Sequence, residues 1–208
     1  DRKIPYILVD AYIENTHCLA YYGTHSYHSG YLSGRLLAEQ LGPDKEMAVF
    51  RIQRNTGWTS TQGENREKGF RDYMEADGEG RSIHVVSIVA EENEANRKKL
   101  DAFFEAHPAV GGGVIFNSRA HLVADYFCRR QAGKPFRLIG YDGVAANIPY
   151  LKNGLITHLI AQRPEVQGMN CIKALFRYLV MGIRPERVNY MPLDILVKEN
   201  IDYYHNYI

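Results

Sequence analysis

The chain has 208 residues, of which 45% are hydrophobic and 24% charged, and its formal net charge is +1. This composition is ordinary for a globular protein and is sufficient for one large domain or two small ones. The balanced charge, without a basic tract, argues against a nucleic-acid surface, and no apolar stretch is long enough to span a bilayer.

Strand-like and helix-like patterns alternate along the chain. Strands are predicted at residues 4–10, 18–22, 47–52, 83–89, 113–116, 138–139, 155–160 and 190–197. Helices are predicted at residues 26–41, 62–76, 94–106, 119–132 and 164–181. Pro164 suits the first turn of the last helix, and Gly182 suits its end. The alternation with short connections predicts an α/β fold with parallel sheets covered by helices.

Cysteine usage and the start of the chain bear on the compartment. Cys18, Cys128 and Cys171 are widely spaced and odd in number, which favours buried free thiols and a reducing environment. Asp1 leads directly into a strand-like run without a signal-peptide pattern. We therefore expect a cytoplasmic protein, and the abrupt start suggests a fragment of a longer one.

Polar side chains cluster in residues 136–162. Asp142 follows one apolar strand, and Gln162 and Arg163 follow another. An open α/β sheet usually binds its ligand just beyond the carboxyl ends of its strands. Because no nucleophile–base pair accompanies these groups, we expect a binding protein rather than an enzyme, with no cofactor. The eight histidines are scattered without a ligand pattern, so no metal site is predicted either.

Six short motifs occur in order along the chain. They are IPYILVD at residues 4–10, the glycine-containing helix at 26–42, REKGF at 66–70, IFN at 115–117, IGYD at 139–142 and the return segment at 157–168. Each is weak alone, but together the series resembles the effector-binding domain of the lactose-repressor (LacI) family of bacterial transcription regulators. One departure is Ser118, where the family often has Asp after the Asn; Ser also caps helices.

The resemblance implies a periplasmic-binding-protein-like type I fold that is truncated at its amino terminus. Residues 1–25 would be a remnant of the amino-terminal lobe, and residues 26–161 the complete carboxyl-terminal lobe. Residues 162–190 would return into the amino-terminal lobe, and residues 191–208 would supply the final strand and tail of the other lobe. The family's DNA-binding helix-turn-helix would lie upstream and is absent from this sequence.

The resemblance also implies ligand-binding residues. Arg66, Asn117, Asp142 and Gln162 carry over most directly, and Asp10 is a fifth candidate. Their carboxylates, amides and guanidinium could bind the adjacent hydroxyls of a sugar. The alternatives are a solvated helix-surface role for Arg66, capping or turn roles for Asn117 and Asp142, and a water-solvated hinge role for Gln162.

Two aromatic side chains complete the candidate set. Trp58 lies in a polar loop and could stack on a sugar face, or equally could cover the edge of the core. His25 lies near the expected crossover between lobes.

The functional expectation is an effector-sensing domain in which a sugar or related metabolite binds in an interlobe cleft and controls DNA affinity. The family implies a homodimer that contacts DNA only through the absent domain, without a membrane partner. One alternative is a periplasmic sugar receptor for a transporter or sensor kinase. A second is an enzyme with a flavodoxin-like or Rossmann-like sheet, which would need Asp142 or His25 to be catalytic.

Overall fold

The computed structural model describes residues 4–53, 61–91, 93–130 and 136–207, with side chains up to residue 204. The strands are β1 (Ile7–Val9), β2 (Ala20–Gly23), β3 (Glu46–Gln53), β4 (Ile83–Val89), β5 (Val110–Ile115), β6 (Arg137–Tyr141), β7 (His158–Ala161), β8 (Val188–Tyr190) and β9 (Asp194–Leu196). The α-helices are α1 (Ser26–Ala38), α2 (Thr61–Asp77), α3 (Glu94–Ala106), α4 (Ala120–Arg130), α5 (Ile148–Lys152) and α6 (Pro164–Met181), and a 3-10 helix spans Ile201–Tyr207.

Most predicted elements are present, and the clearest differences are a divided final strand and an additional short helix. The strand predicted at residues 190–197 is two short strands, β8 and β9, which belong to different sheets. The short helix α5 falls in what the sequence suggested was a plain connection. Five residues around a Pro at the helix start are too few to show a helical period.

The described residues fall into two compact units. The large unit comprises Ser26–Ala161 and Ile195–Tyr204, and the small unit comprises residues 4–25, 162–194 and 205–207. Each unit has its own sheet. In the part of the chain that the structure describes, no helix is long and apolar enough to cross a membrane.

The large unit is built on a six-stranded sheet in the order β4-β3-β5-β6-β7-β9. The pairs from β4 to β7 are all parallel, which confirms the predicted α/β class. Successive buried residues along β3, β5 and β6 show that both faces of the sheet are covered. The strand order reverses between β3 and β5, and open α/β sheets bind ligands beyond the carboxyl ends of the strands at such a switch point.

Helices α1 and α2 pack against each other unusually closely, because glycines lie at their contact. A Cβ on Gly30 would lie 1.8 Å from the carbonyl oxygen of Arg66, and one on Gly69 would lie 2.0 Å from the carbonyl oxygen of Tyr27. Neither position accepts a side chain without movement of the backbone. This contact fixes the main chain of α2 at Arg66.

The small unit contains the parallel three-stranded sheet β1-β2-β8 and helix α6. Helix α6 ends at Gly182, whose φ of 70° is the left-handed conformation of a helix C-cap. Its buried positions, Gln167, Cys171 and Ala174, follow helical spacing. Its other face exposes large apolar side chains, namely Met169, Ile172, Phe176, Leu179, Val180 and Met181. An exposed apolar stripe of this size is typical of an interaction surface.

The cysteines differ in exposure. All three are free; Cys171 is buried and Cys18 is partly buried. The prediction of a buried thiol is wrong for Cys128, which is exposed near the end of α4 because that helix buries Ala120, Val123 and Ala124 instead.

Candidate functional site

Arg66 is buried on helix α2, with 4% of its surface exposed. Its Nη1 donates a hydrogen bond to the carbonyl oxygen of Phe116 at 2.9 Å, and its guanidinium lies 4.3 Å from the ring centroid of Tyr141. The alternative of a solvated surface arginine is therefore wrong. The sequence pattern of α2 could not predict the burial of Arg66, because this burial depends on the close glycine contact between α1 and α2.

Asp142 directly follows β6 and adopts a left-handed backbone conformation, with φ of 63°. Asp tolerates this region better than most residues, but a non-glycine residue there still costs of order 1 kcal/mol. The backbone N–H of Asp142 donates to the carbonyl oxygen of Ile160 at 3.0 Å. The turn is thus tied to the end of β7, and the partly buried carboxylate is held at the strand tip.

Asn117 lies just beyond β5 and has a local structural role. Its Oδ1 accepts a hydrogen bond from the backbone N–H of Arg119 at 2.9 Å, which confirms the turn role considered from the sequence. The same side chain carries an NH2 group that can donate to a ligand. Arg66 bonds the residue before Asn117 and stacks on the residue before Asp142, so the large unit brings these three candidates to the carboxyl ends of β5 and β6.

Asn147 is a residue that the sequence did not single out. It is fully buried, and its Nδ2 donates to the carbonyl oxygens of Ser118, Tyr141 and Asp142 at 3.1, 3.2 and 3.1 Å. Its Oδ1 accepts from the backbone N–H of His121 at 2.9 Å. Asn147 therefore ties the loop after β5 to the loop after β6. No local motif signals this role, because all its partners except Asp142 and Tyr141 are more than twenty-five residues away.

Tyr141 forms the floor beneath Arg66. Burial raises the pKa of its phenol, so the side chain stays neutral at physiological pH. Its hydroxyl donates to Ser29 Oγ at 3.3 Å. A neutral aromatic face against a guanidinium is a favourable cation–π arrangement in a desolvated site.

In the small unit, Asp10 repeats the arrangement of Asp142. It follows β1, has a φ of 64°, and its N–H donates to the carbonyl oxygen of Tyr22 on the neighbouring strand at 2.9 Å. Its own carbonyl oxygen accepts a hydrogen bond from the hydroxyl of Tyr21 at 2.9 Å. Each unit therefore presents a left-handed Asp at a strand tip, a likeness that backbone angles reveal and sequence spacing does not.

Gln162 is buried in the small unit, so the alternative of a water-solvated hinge residue is wrong. Its Oε1 accepts a hydrogen bond from the hydroxyl of Thr24 at 2.8 Å, and its carbonyl oxygen accepts from Nε2 of Gln167 at 2.7 Å. The neighbouring Arg163 forms a two-pronged ion pair with Asp194 at 2.5 and 2.7 Å. These contacts fix the start of α6.

His25 contacts an exposed aromatic ring. It lies 4.8 Å, centroid to centroid, from Tyr190, of which 57% is exposed. The exposed ring of Tyr190 is a second candidate for stacking that the sequence analysis did not name. Trp58, the predicted stacking residue, lies outside the described residues.

The polar groups at the strand tips of the large unit suit a polyhydroxylated ligand. The carboxylate of Asp142 accepts hydrogen bonds, the guanidinium of Arg66 and the amide of Asn117 donate them, and the hydroxyl groups of a sugar do both. In the small unit, the carboxylate of Asp10 is an acceptor of the same kind. Rigid placement at strand tips lowers the entropy that such a site loses on binding.

A family model described as a periplasmic binding protein domain matches residues 1–182. No curated protein matches the sequence.

Solved structures give close fold matches. One is a protein from Bacteroides fragilis provisionally named a LacI transcriptional regulator, with 40% identity over 97% of this chain and 70% of that one and a TM-score of 0.90. A second is a glucose-galactose binding protein from Geobacillus stearothermophilus, with 24% identity, coverage of 95% and 69%, and a TM-score of 0.78. A third is a periplasmic solute binding protein from Actinobacillus succinogenes with bound D-allose, with 21% identity, coverage of 97% and 72%, and a TM-score of 0.82.

Proposed function

The chain belongs to the periplasmic binding protein domain family, and from that premise we propose that it binds a sugar as the effector-sensing domain of a LacI-type transcriptional regulator. The observation that carries the proposal is the placement of Arg66 and Asp142. A buried guanidinium stacked on Tyr141 and a carboxylate on a left-handed strand tip lie at the carboxyl ends of the two central strands.

The chemistry of these groups favours a neutral, hydroxyl-rich ligand. A sugar hydroxyl can donate to Asp142 while its oxygen accepts from Arg66 or Asn117, so that each group is used in the direction its charge favours. The solute binding protein with bound D-allose shares the fold, which makes aldohexoses the first ligands to test. The interlobe cleft expected from the sequence stays a prediction.

The regulator assignment rests on the 40% identical protein from Bacteroides fragilis that carries the LacI name. In this role the protein is cytoplasmic and dimeric, and it contacts DNA through a helix-turn-helix outside this sequence. A ligand can change DNA affinity only if it binds the DNA-competent and DNA-incompetent states with different affinities.

The second candidate function is a periplasmic sugar receptor for a transporter or sensor kinase. The glucose-galactose binding protein with the same fold favours it. The binding chemistry of the two functions is the same, so the two are distinguished by partner and compartment rather than by the site.

A thermal-shift screen tests the shared claim of sugar binding. Untagged protein is heated with individual aldohexoses, aldopentoses and nucleosides at millimolar concentration. A true ligand raises Tm in proportion to the logarithm of its concentration above Kd. Sugars also stabilise proteins by exclusion from their surface, but that effect is shared by all sugars tested. A selective rise for one or a few compounds supports the proposal, and a uniform small rise refutes it.

A DNA-binding assay on the full-length natural protein separates the two functions. Fluorescence anisotropy measures its affinity for the DNA upstream of its own gene, with and without the sugar that the screen identifies. A regulator binds this DNA specifically, and the sugar changes its affinity. Absence of specific DNA binding, together with recovery of the protein from the periplasmic fraction, supports the receptor instead.

A further inference from the structure

Two histidines and a glutamate meet at the amino ends of the strands in the large unit's sheet, opposite the end that carries Asp142. Glu46 begins β3, His84 is the second residue of β4, and His107 ends α3 just before β5. We call these three residues the His–Glu cluster. Among the described His, Cys, Asp and Glu residues, they form the one group of three or more whose potential ligand atoms all lie within 4.8 Å of one another.

Strand register explains why residues so far apart in sequence meet here. Ala48 pairs with His84 between the parallel strands β3 and β4, and Glu46 points to the same side as Ala48 because side chains alternate along a strand. Residue His107 reaches the same end of the sheet because its backbone closes α3, and its carbonyl oxygen accepts from the N–H of Val110. This end of the sheet is therefore built from three separate elements.

The side chains are already close to one another. His84 Nε2 lies 2.9 Å from Glu46 Oε2, and the rings of His84 and His107 stack with centroids 3.8 Å apart and an interplanar angle of 29°. Glu46 and His84 keep 32% and 25% of their side-chain surface exposed, so an ion and water can reach them. On the inner side the rings contact Phe103, which restricts their movement.

These distances fit a zinc-type ion once the stacked imidazole rings rotate, because each ring nitrogen binds a metal in the plane of its own ring. Zinc binds imidazole nitrogen and carboxylate oxygen at about 2.0–2.2 Å, so tetrahedral ligand atoms lie about 3.3–3.5 Å apart. The ligand atoms of the cluster are separated by between 2.9 Å and at most 4.8 Å. Rotations of side chains that remain partly exposed can bring them to the required spacing.

We propose that the His–Glu cluster binds a divalent transition-metal ion of the zinc type. His84, His107 and Glu46 are three ligands, and water takes the fourth position. Two imidazoles and one carboxylate suit Zn²⁺, Ni²⁺, Co²⁺ and Cu²⁺ better than Mg²⁺ or Ca²⁺, which prefer all-oxygen sites. The ion joins β3, β4 and the end of α3. It therefore stabilises the large unit at the amino ends of its strands, opposite Arg66 and Asp142.

The sequence gives no sign of this site. Zinc motifs are recognised by short spacing within one element, whereas these ligands are separated by 38 residues between Glu46 and His84 and come together only through register. Strand β5 has six residues, so at about 3.3 Å per residue the two ends of the sheet are about 20 Å apart. The proposed metal site is therefore independent of sugar binding.

Metal titration of untagged, chelator-treated protein tests the proposal. Calorimetry with ZnCl2 should show about one site per chain, and Tm should rise by about 5–10 °C when free Zn²⁺ is ~100-fold above Kd. His84→Ala, His107→Ala and Glu46→Gln should each weaken affinity by about tenfold or more. His28→Ala, which removes an exposed histidine of α1, is the matched control and should retain wild-type affinity.

A second readout guards against loss of folding in a variant. Circular dichroism without metal establishes that each variant keeps its helical signal. Co²⁺ replaces Zn²⁺, and its visible absorption reports tetrahedral coordination directly. The proposal is overturned if the wild-type protein binds neither ion, or if folded His107→Ala and Glu46→Gln variants bind with the affinity of the His28→Ala control.

Discussion

Replacing Asn147 by Asp tests how the ends of β5 and β6 are held together. The two side chains have nearly the same shape, but a carboxylate has no N–H to donate. In the native protein Nδ2 serves three carbonyl oxygens, those of Ser118, Tyr141 and Asp142. The variant therefore directs negative charge at three oxygen atoms in a fully buried position.

The expected loss can be worked from those contacts. An amide NH2 group has two hydrogens, and each hydrogen bond lost costs about 1 kcal/mol, which gives about 2 kcal/mol. Leaving buried carbonyl oxygens unsatisfied beside a carboxylate adds about 1–3 kcal/mol. We expect Asn147→Asp to lower the free energy of unfolding by about 3–5 kcal/mol.

Asn153→Asp is the matched control. Asn147 and Asn153 flank the same short helix, α5, and Asn153 is exposed. Its Oδ1 accepts a hydrogen bond from the N–H of Leu155 at 3.1 Å, and a carboxylate accepts this bond equally well. Its effect should stay within about 0.5 kcal/mol. Urea denaturation followed by circular dichroism measures both variants. Losses that agree within about 0.5 kcal/mol would show that Asn147 does not hold these loops.

Three further substitutions test other parts of the account. Gly69→Ala should destabilise the protein by about 2–4 kcal/mol in urea denaturation, because its Cβ would lie 2.0 Å from a carbonyl oxygen of α1. Its control is Gly168→Ala on α6, where a Cβ has open space, so this change should be neutral or stabilising. Equal effects would refute the close-packing argument. Although burial raises the pKa of Glu67, hydrogen bonds from Arg51 and Arg71 bring it below its ordinary value, so the stability it contributes is present at neutral pH and lost as pH falls below about 4. Glu67→Gln should thus cost about 1 kcal/mol at pH 7 and progressively less as acid protonates the native carboxylate, and a loss that is independent of pH would contradict this. Phe176→Glu on the exposed face of α6 should reduce self-association in light scattering; an unchanged mass from a self-associating parent would show that this face is not the interface.

The sequence predicted those features that depend on local pattern. The alternation of apolar runs and helical periods was sufficient for the α/β class, and α3 was predicted at its observed bounds, Glu94–Ala106. Asp142 was found because a short motif places it directly after a buried strand. Arg66 was found by motif, but its burial depends on a glycine contact between two helices.

The features that the sequence could not show depend on distant contacts. Asn147 acts through loops that meet only when β5 and β6 pair. The His–Glu cluster depends on the register of β3 against β4. Likewise, the final strand was predicted as one element at residues 190–197, although β8 and β9 pair in different sheets.

Isothermal titration calorimetry with the sugar selected by the thermal screen is the most direct test of the central claim. We predict that the wild-type protein binds it at one site and that Asp142→Asn weakens binding by about tenfold to a hundredfold, since a hydrogen bond to a charged group contributes about 1.5–3 kcal/mol. Asp44→Asn, which changes a carboxylate whose side chain is 75% exposed, should leave the affinity unchanged. Equal affinities of the two variants, or absence of binding by every sugar in the panel, would contradict the account.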